Sequence, residues 1–285
     1  MSELRVFKRE LSEEFIYDLT CGHLAPLMDA TRSYGLDVQL RGECEQQDYI
    51  NVYHRGYSAL KLLHRPRAGY RGEVSSAFAS GTRWAPGGPV RITIPLGDAS
   101  TVEAYVQELP AILASIESMP AGERHAEGCL FRASQALASP VVFIDRQVSQ
   151  SHRERREQVD LVGIARDASR FMLAEVKYGK GSTIRQLVEQ LRRYTCFMTD
   201  GTGYLRPEFR QSYARVLEQR QRLGLSPSEL VFPYAPVPVE GLIILCDYQR
   251  RIAVETVPLG FPVWRVEASG PDFAVPPVTA WETVR

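Results

Sequence analysis

The stretch VDLVGIARDASRFMLAEVK, residues 159–177, carries the decisive pattern, because two apolar runs flank a short polar turn. That arrangement is typical of a β-hairpin. Side chains alternate between the two faces of a strand, so an antiparallel pairing with Ile164 opposite Phe171 places Asp160 opposite Glu175. The sequence therefore predicts a hairpin whose apolar rungs lie on a core and whose end rung carries two carboxylates.

This charged rung predicts either a bound cation or an ion pair. Neighbouring carboxylates repel each other unless positive charge lies between them, and a divalent metal ion supplies that charge. Lys177 stands one pleat beyond Glu175 on the same face, so a surface salt bridge from Lys177 to Asp160 or Glu175 is the alternative. The chain has 30 Arg and only 4 Lys, which makes a lysine at this position more notable.

Two motifs in order resemble a known family. The hairpin pattern Asp160-x(14)-Glu175-x-Lys177 resembles the PD-(D/E)XK nuclease superfamily, although Val159 stands before the aspartate where the pattern has Pro. A helix over residues 184–194, with Ser182 as its cap, carries Gln190-Leu-Arg-Arg-Tyr194, which resembles the Gln-x-x-x-Tyr motif of RecB-type members. The resemblance covers roughly residues 120–200. It implies an α/β fold with a restriction-endonuclease-like core, in which helices flank a central mixed β-sheet.

The resemblance also implies a metal site. Mg²⁺, with Mn²⁺ as a substitute, would be held by the carboxylates of Asp160 and Glu175 and by the main-chain carbonyl of Val176. A further acid is expected on the preceding helix, where Glu127 is the first choice and Glu123 the alternative. A solvated helix face is the other interpretation of these two glutamates.

Three more residues are expected to act in catalysis. Lys177 would orient or deprotonate the attacking water, or stabilise the transition state. Gln190 and Tyr194 lie one turn apart on the motif helix and could hold Lys177 or a substrate phosphate. Alternatively, Tyr194 is the rim of the core.

The charge distribution favours a nucleic-acid partner. The chain is neutral overall, but residues 146–222 carry 16 Lys and Arg against 9 Asp and Glu. A basic region that coincides with the candidate site suits a phosphate backbone, whereas arginines that only solvate helix surfaces are the alternative. DNA is the expected partner and RNA is not excluded. The residues expected to contact it are His152, Arg153, Arg155, Arg156, Lys180, Arg185 and Arg193.

Composition limits the class of protein. An apolar content of 44% over 285 residues supports one large or two small domains. No apolar run approaches the ~20 residues of a membrane helix, and Met1–Val6 lacks the apolar stretch of a signal peptide. Five scattered cysteines form no Cys-x-x-Cys pair, which argues against a zinc or iron–sulfur site. We expect a cytoplasmic protein without a membrane partner; a homodimer and a larger nucleic-acid-processing complex both stay open.

The pattern along the chain predicts two domains. Residues 1–95 are expected to form an N-terminal α+β module of unknown role, and residues 96–285 the nuclease-like domain. The Gly-, Ser- and Arg-rich segment 67–88 and the basic segment 150–156 are expected to be connections, and residues 252–257 a strand. The expected function is a Mg²⁺-dependent nuclease that hydrolyses DNA in restriction, defence or repair. The alternative is an inactive nuclease fold that binds nucleic acid or acts in assembly.

Overall fold

Two five-stranded sheets and six helices make a mixed α/β fold in the part of the chain that the structure describes. The structure is a computed structural model, and it describes residues 9–43, 47–84, 90–120, 122–152, 155–179, 184–199, 203–247 and 261–266. The chain divides into two units, Met1–His125 with Arg215–Ser228, and Ala126–Ala214 with Glu229–Arg285. The expected α/β class is confirmed. None of the helices in the described ranges has the length and apolarity needed to cross a membrane.

The first unit is built on an antiparallel sheet. Its strands follow chain order and are β1 (Asp37–Glu43), β2 (Gln47–His54), β3 (Tyr57–Arg65), β4 (Gly69–Ser75) and β5 (Arg91–Pro95). Apolar side chains of the sheet share a core with helices α1 (Glu13–Thr20), α2 (Ala25–Ser33) and α3 (Ala99–Glu117).

The sequence placed a domain boundary after residue 95, and helix α3, which follows that point, lies in the first unit. Asp98 caps it, since its side chain accepts a hydrogen bond from the Thr101 amide at 2.9 Å. Residues at helical spacing, including Val102, Tyr105 and Leu109, are buried in the core of the first unit. The helix therefore belongs with the N-terminal sheet, because its apolar stripe completes that core.

Strand β4 corrects the expectation of a connection over residues 67–88. It pairs with both β3 and β5, and its buried positions alternate with less buried ones, Tyr70 and Val74 being buried. The Gly and Arg content of this segment hid the alternation. A strand with only a few large apolar residues is held here by pairing on both edges.

The second unit contains a mixed sheet in the order β10-β9-β8-β7-β6. Its strands are β6 (Val141–His152), β7 (Arg155–Ala165), β8 (Phe171–Tyr178), β9 (Val239–Cys246) and β10 (Val263–Val266). The pairs β6–β7 and β7–β8 are antiparallel, whereas β8–β9 and β9–β10 are parallel. Residues 252–257 lie outside the described residues.

The register of the decisive hairpin is confirmed where the strands pair. Ile164 lies opposite Phe171, and Val162 lies opposite Leu173. The segment expected as a basic connection, residues 150–156, is different: residues 150–152 continue β6, and 155–156 begin β7. The two strands are longer than the apolar pattern indicated because β6 and β7 stay paired as far as His152 and Arg155.

Helices cover both faces of this sheet. Helix α4 (Glu123–Ala133) packs Ala126, Cys129 and Leu130 against one face, where Leu161, Ala174 and Ile244 are buried in the same cluster. On the other face Phe171 stacks on Tyr204 and lies beside Phe209 and Tyr213.

Helix α5 (Ile184–Thr199) contacts β8 and β9. A Cβ at Gly241 of β9 would meet Leu191 of α5 at 2.8 Å, so glycine permits this close approach. Helix α6 (Pro207–Arg222) follows and supplies the aromatic residues Phe209 and Tyr213.

Candidate functional site

Strand β7 leaves β8 just where the charged rung was predicted. Their ladder ends at Leu161 opposite Ala174, while β8 runs on to Tyr178 beside β9. We call this point, at Asp160 and Glu175, the β7–β8 fork. Asp160 Oδ2 accepts a hydrogen bond from the Val176 amide at 2.8 Å. A carboxylate thus occupies the place of a main-chain acceptor, and this bond fixes Asp160 against β8.

The main chain at Val176 also presents its carbonyl to the fork. The N–H and C=O of one strand residue point to the same edge of that strand. Since the Val176 N–H reaches Asp160 of β7, the Val176 carbonyl faces the same side.

An acidic group forms where α4 approaches Asp160. One carboxylate oxygen of Glu127 lies within 4.8 Å of one of Asp160, and Glu123 completes the group from the preceding turn of α4. Glu123 is held relative to Glu127 because both belong to the first turns of one continuous helix. Glu127 is only 3% exposed. Carboxylates this close repel each other, and burial strengthens the repulsion. Glu127, the first choice for the third acid, is therefore beside Asp160, and Glu123 lies one turn before it on α4.

Glu175 is buried but is not a member of that acidic group. It lies on β8 opposite Ile243, and strand alternation directs it to the face that Phe171 shares with the aromatic side chains. Its predicted pairing with Asp160 continues the confirmed register by one rung and stays a prediction. Lys177 lies opposite Leu245 on the same strand and is partly exposed.

Gln147 is a site residue that the sequence did not reveal. Its side-chain amide donates a hydrogen bond to Glu127 Oε2 at 3.1 Å. Its backbone has a φ of 53°, a left-handed conformation that costs a residue with a Cβ roughly 1–2 kcal/mol. No sequence signal marks this conformation, because Gln is not among the residues that favour it.

Asp145 is a further buried acid, and the sequence assigned it no role. Its Oδ2 accepts a hydrogen bond from the Tyr213 hydroxyl at 3.1 Å, and its Oδ1 accepts one from the Arg146 amide at 2.8 Å. A register shift in β6 between Phe143 and Asp145 changes the alternation at this point. The polar pair Asp145-Arg146 that follows an apolar run was the available signal.

Gln190 and Tyr194 hold the start of β7. The Tyr194 hydroxyl donates a hydrogen bond to the main-chain carbonyl of Gln158. The Gln190 amide lies 3.3 Å from the Tyr194 oxygen and 3.4 Å from the same carbonyl. Tyr194 is buried. The motif therefore ties α5 to the residue two positions before Asp160, which is a structural contact that sequence reasoning did not foresee.

The residues expected to contact nucleic acid are placed in two groups. His152 and Arg155 form the last rung of the β6–β7 pair, and Arg156 lies opposite Ser151. On α5, Arg193 is exposed, and Arg185 is exposed and bonded to Glu189 at 3.3 Å. The expected residues Arg153 and Lys180 lie outside the described residues.

Several arginines of the basic window have structural partners. Arg210 is buried and donates to the carbonyls of Tyr204 and Tyr234 at 2.9 and 3.0 Å. Within the first unit, Arg220 donates to the Val38 carbonyl at 2.8 Å. The excess of positive charge in residues 146–222 is thus partly used to bind main-chain carbonyls. These two arginines are buried, so they neither solvate a helix surface nor offer their charge to a phosphate.

The donors at the fork fit a hard divalent cation. Mg²⁺ prefers oxygen ligands and is usually bound through one or two carboxylates, and Glu127 and Asp160 bring two carboxylates together within one unit. Buried carboxylates are normally paired or bound to metal.

Comparison of the chain with protein-family models, curated proteins and solved structures gave no match.

Proposed function

We propose that this chain is a Mg²⁺-dependent nuclease of the PD-(D/E)XK type that hydrolyses phosphodiester bonds, with DNA as substrate, in restriction, defence or repair. One observation carries the proposal. Asp160 is bonded to the main chain of the Glu175-Val176-Lys177 segment at 2.8 Å, while its carboxylate lies within 4.8 Å of Glu127. The aspartate of the sequence motif, the main chain of its Glu-x-Lys segment and an acid from the preceding helix thus lie together at the fork.

The metal would be held by side chains of the fork. Asp160 and Glu127 would bind it, with Glu175 and the carbonyl of Val176 as further ligands and Glu123 at the margin. When bound, Mg²⁺ would lower the pKa of a water and offset the negative charge that develops on the phosphate. Mn²⁺ has similar ligand preferences and is expected to substitute.

The protein's own groups would then act on the water and the phosphate. Lys177 follows Glu175 by two residues, so alternation puts both side chains on one face of β8. Its ammonium group would orient the attacking water and stabilise the charge of the transition state. Gln190 and Tyr194 would contribute indirectly, because their bonds to the Gln158 carbonyl fix the strand that carries Asp160.

The order of elements in the second unit supports a restriction-endonuclease-like core. Helix α4 precedes three antiparallel strands, α5 and α6 follow, and β9 returns parallel to β8. Helices cover both faces of the mixed sheet, as the resemblance implies.

The basic residues His152, Arg155 and Arg156 support DNA as the partner, since they lie on strands β6 and β7, which lead to the fork. Cysteines without a paired spacing support a cytoplasmic location.

The test is a cleavage assay with the purified full chain on plasmid, single-stranded DNA and RNA. We expect DNA cleavage with Mg²⁺ or Mn²⁺, none with EDTA, and at least a ~100-fold loss in Glu127→Gln. Glu189→Gln, on the exposed face of α5, is the matched control and should cleave normally. Cleavage that survives EDTA would contradict the metal. DNA binding without cleavage under any of these conditions would favour the inactive nuclease fold.

A further inference from the structure

Gln147 has a backbone conformation that strand pairing does not require. Its φ is 53°, yet the register of β6 on β7 is the same on both sides of it, since Arg146 pairs with Leu161 and Val148 with Val159. A β-bulge absorbs an extra residue in one strand, and at this rung no extra residue is present. Backbone strain that the fold itself does not need is often part of a functional site.

Gln147 lies next to two members of the acidic group, Asp160 and Glu127. The unchanged register puts Gln147 opposite Asp160, and its amide nitrogen lies 3.1 Å from Glu127 Oε2. A hydrogen bond from a side-chain amide holds a buried carboxylate in one orientation. Groups that orient a metal ligand in this way raise the affinity of the site for the metal.

We propose that Gln147 is a positioning residue of the metal site, which orients Glu127 as a ligand of the divalent cation. The inference rests on the proposed function, in which Glu127 and Asp160 hold Mg²⁺. Gln147 acts through Glu127 and does not itself bind the metal.

The experiment is a calorimetric titration of the full chain with Mn²⁺, without nucleic acid. Gln147→Leu keeps most of the side-chain volume but cannot donate, so its Mn²⁺ affinity should fall about tenfold or more. Gln147→Gly also removes the donor but relieves the left-handed strain. It should bind Mn²⁺ as weakly as the Leu variant, yet unfold at a temperature no lower than that variant. A merely structural role would lower the unfolding temperature and leave Mn²⁺ affinity unchanged.

Gln135→Leu is the matched control. The Gln135 amide donates to the carbonyl of Phe143, which lies on β6 like Gln147, at 2.8 Å. The loss of this bond should leave Mn²⁺ affinity unchanged. If wild type binds Mn²⁺ and both Gln147 variants bind equally well, this inference is overturned while the metal site stands. If wild type does not bind Mn²⁺ at all, the proposed function and this inference fail together.

Discussion

Asp160 is the residue that links the strands of the fork to the acids of the helix. One of its oxygens accepts the Val176 amide hydrogen bond, and the carboxylate lies beside Glu127. An acceptor that is fixed by a main-chain donor loses little freedom when it binds a cation. The chemistry proposed for the site then depends on Lys177, which follows Glu175 by two residues on β8.

Replacing Lys177 should separate metal binding from cleavage. Lys177→Met keeps the carboxylates and should bind Mn²⁺ with near wild-type affinity. Its single-turnover cleavage should fall by about 10²-fold or more, because the ammonium is needed in the transition state. Asp160→Asn should lose both properties, since it removes an anionic ligand. Calorimetry and single-turnover kinetics measure the two quantities.

Lys61→Met is the control for this comparison. Lys61 lies in the first unit, 4.1 Å from the centre of the Tyr49 ring, and its loss should not change cleavage. If Lys177→Met cleaves as fast as wild type, Lys177 is only a surface ion-pair partner and has no role in catalysis.

The Tyr194 hydroxyl should contribute measurably to stability. Tyr194→Phe removes the donor to the Gln158 carbonyl and keeps the buried ring. The free energy of unfolding should fall by about 1 kcal/mol, the usual value for one such bond, as a lower midpoint in urea. Tyr17→Phe, at a side chain that is 61% exposed, should leave the midpoint unchanged. If both variants unfold at the same urea midpoint, the hydrogen bond of the Tyr194 hydroxyl does not contribute to stability.

Among the elements, the β7–β8 hairpin was the most predictable from sequence. Two apolar runs flank a short polar turn, and pairing outward from that turn placed Ile164 opposite Phe171, as the structure shows. Strand β4 escaped prediction because its alternation is made by few large residues. Gln147 could not be found, since its left-handed φ comes from tertiary contacts and not from local preference. The bond of Tyr194 to Gln158 spans 36 residues, and no local pattern reports it.

The paired ends of β6 and β7 give a prediction at the scale of an element. Beyond the ladder with β8, these strands stay paired from Val148 and Val159 to His152 and Arg155. A two-stranded ribbon fits the major groove of B-form DNA. Arg155→Gln with Arg156→Gln should lower the slope of log affinity against log salt by up to about 1.8 for duplex DNA, because each phosphate that an arginine neutralises adds about 0.9 to that slope.

The double variant Arg65→Gln with Arg67→Gln is the control for net charge. Both residues are exposed beside the β3–β4 turn, and the change in total charge is the same. Fluorescence anisotropy over a salt series measures the slopes. A slope that falls equally in both double variants would mean that the ribbon makes no phosphate contact of its own.

At the scale of the whole molecule, each unit has its own sheet and its own buried core. The sequence indicated a basic region over residues 146–222, but the window is divided between the units. Arg220 and Arg222 belong to the first unit, where they bind the Val38 carbonyl and Glu13. The summed charge of a sequence window therefore overestimates the positive charge that a binding surface offers. The partners that each arginine already has within the protein decide whether its charge is available to a ligand.

The proposed function depends on a divalent cation bound at the β7–β8 fork. Anomalous diffraction from crystals of the full chain grown with Mn²⁺ would locate this cation. We expect one strong peak in contact with the Asp160 carboxylate and with Glu127 or Glu175, at ligand distances near the ~2.1 Å of Mg²⁺–oxygen bonds. Well-ordered carboxylates at the fork with no peak beside them, at saturating Mn²⁺, would contradict a metal site at this position.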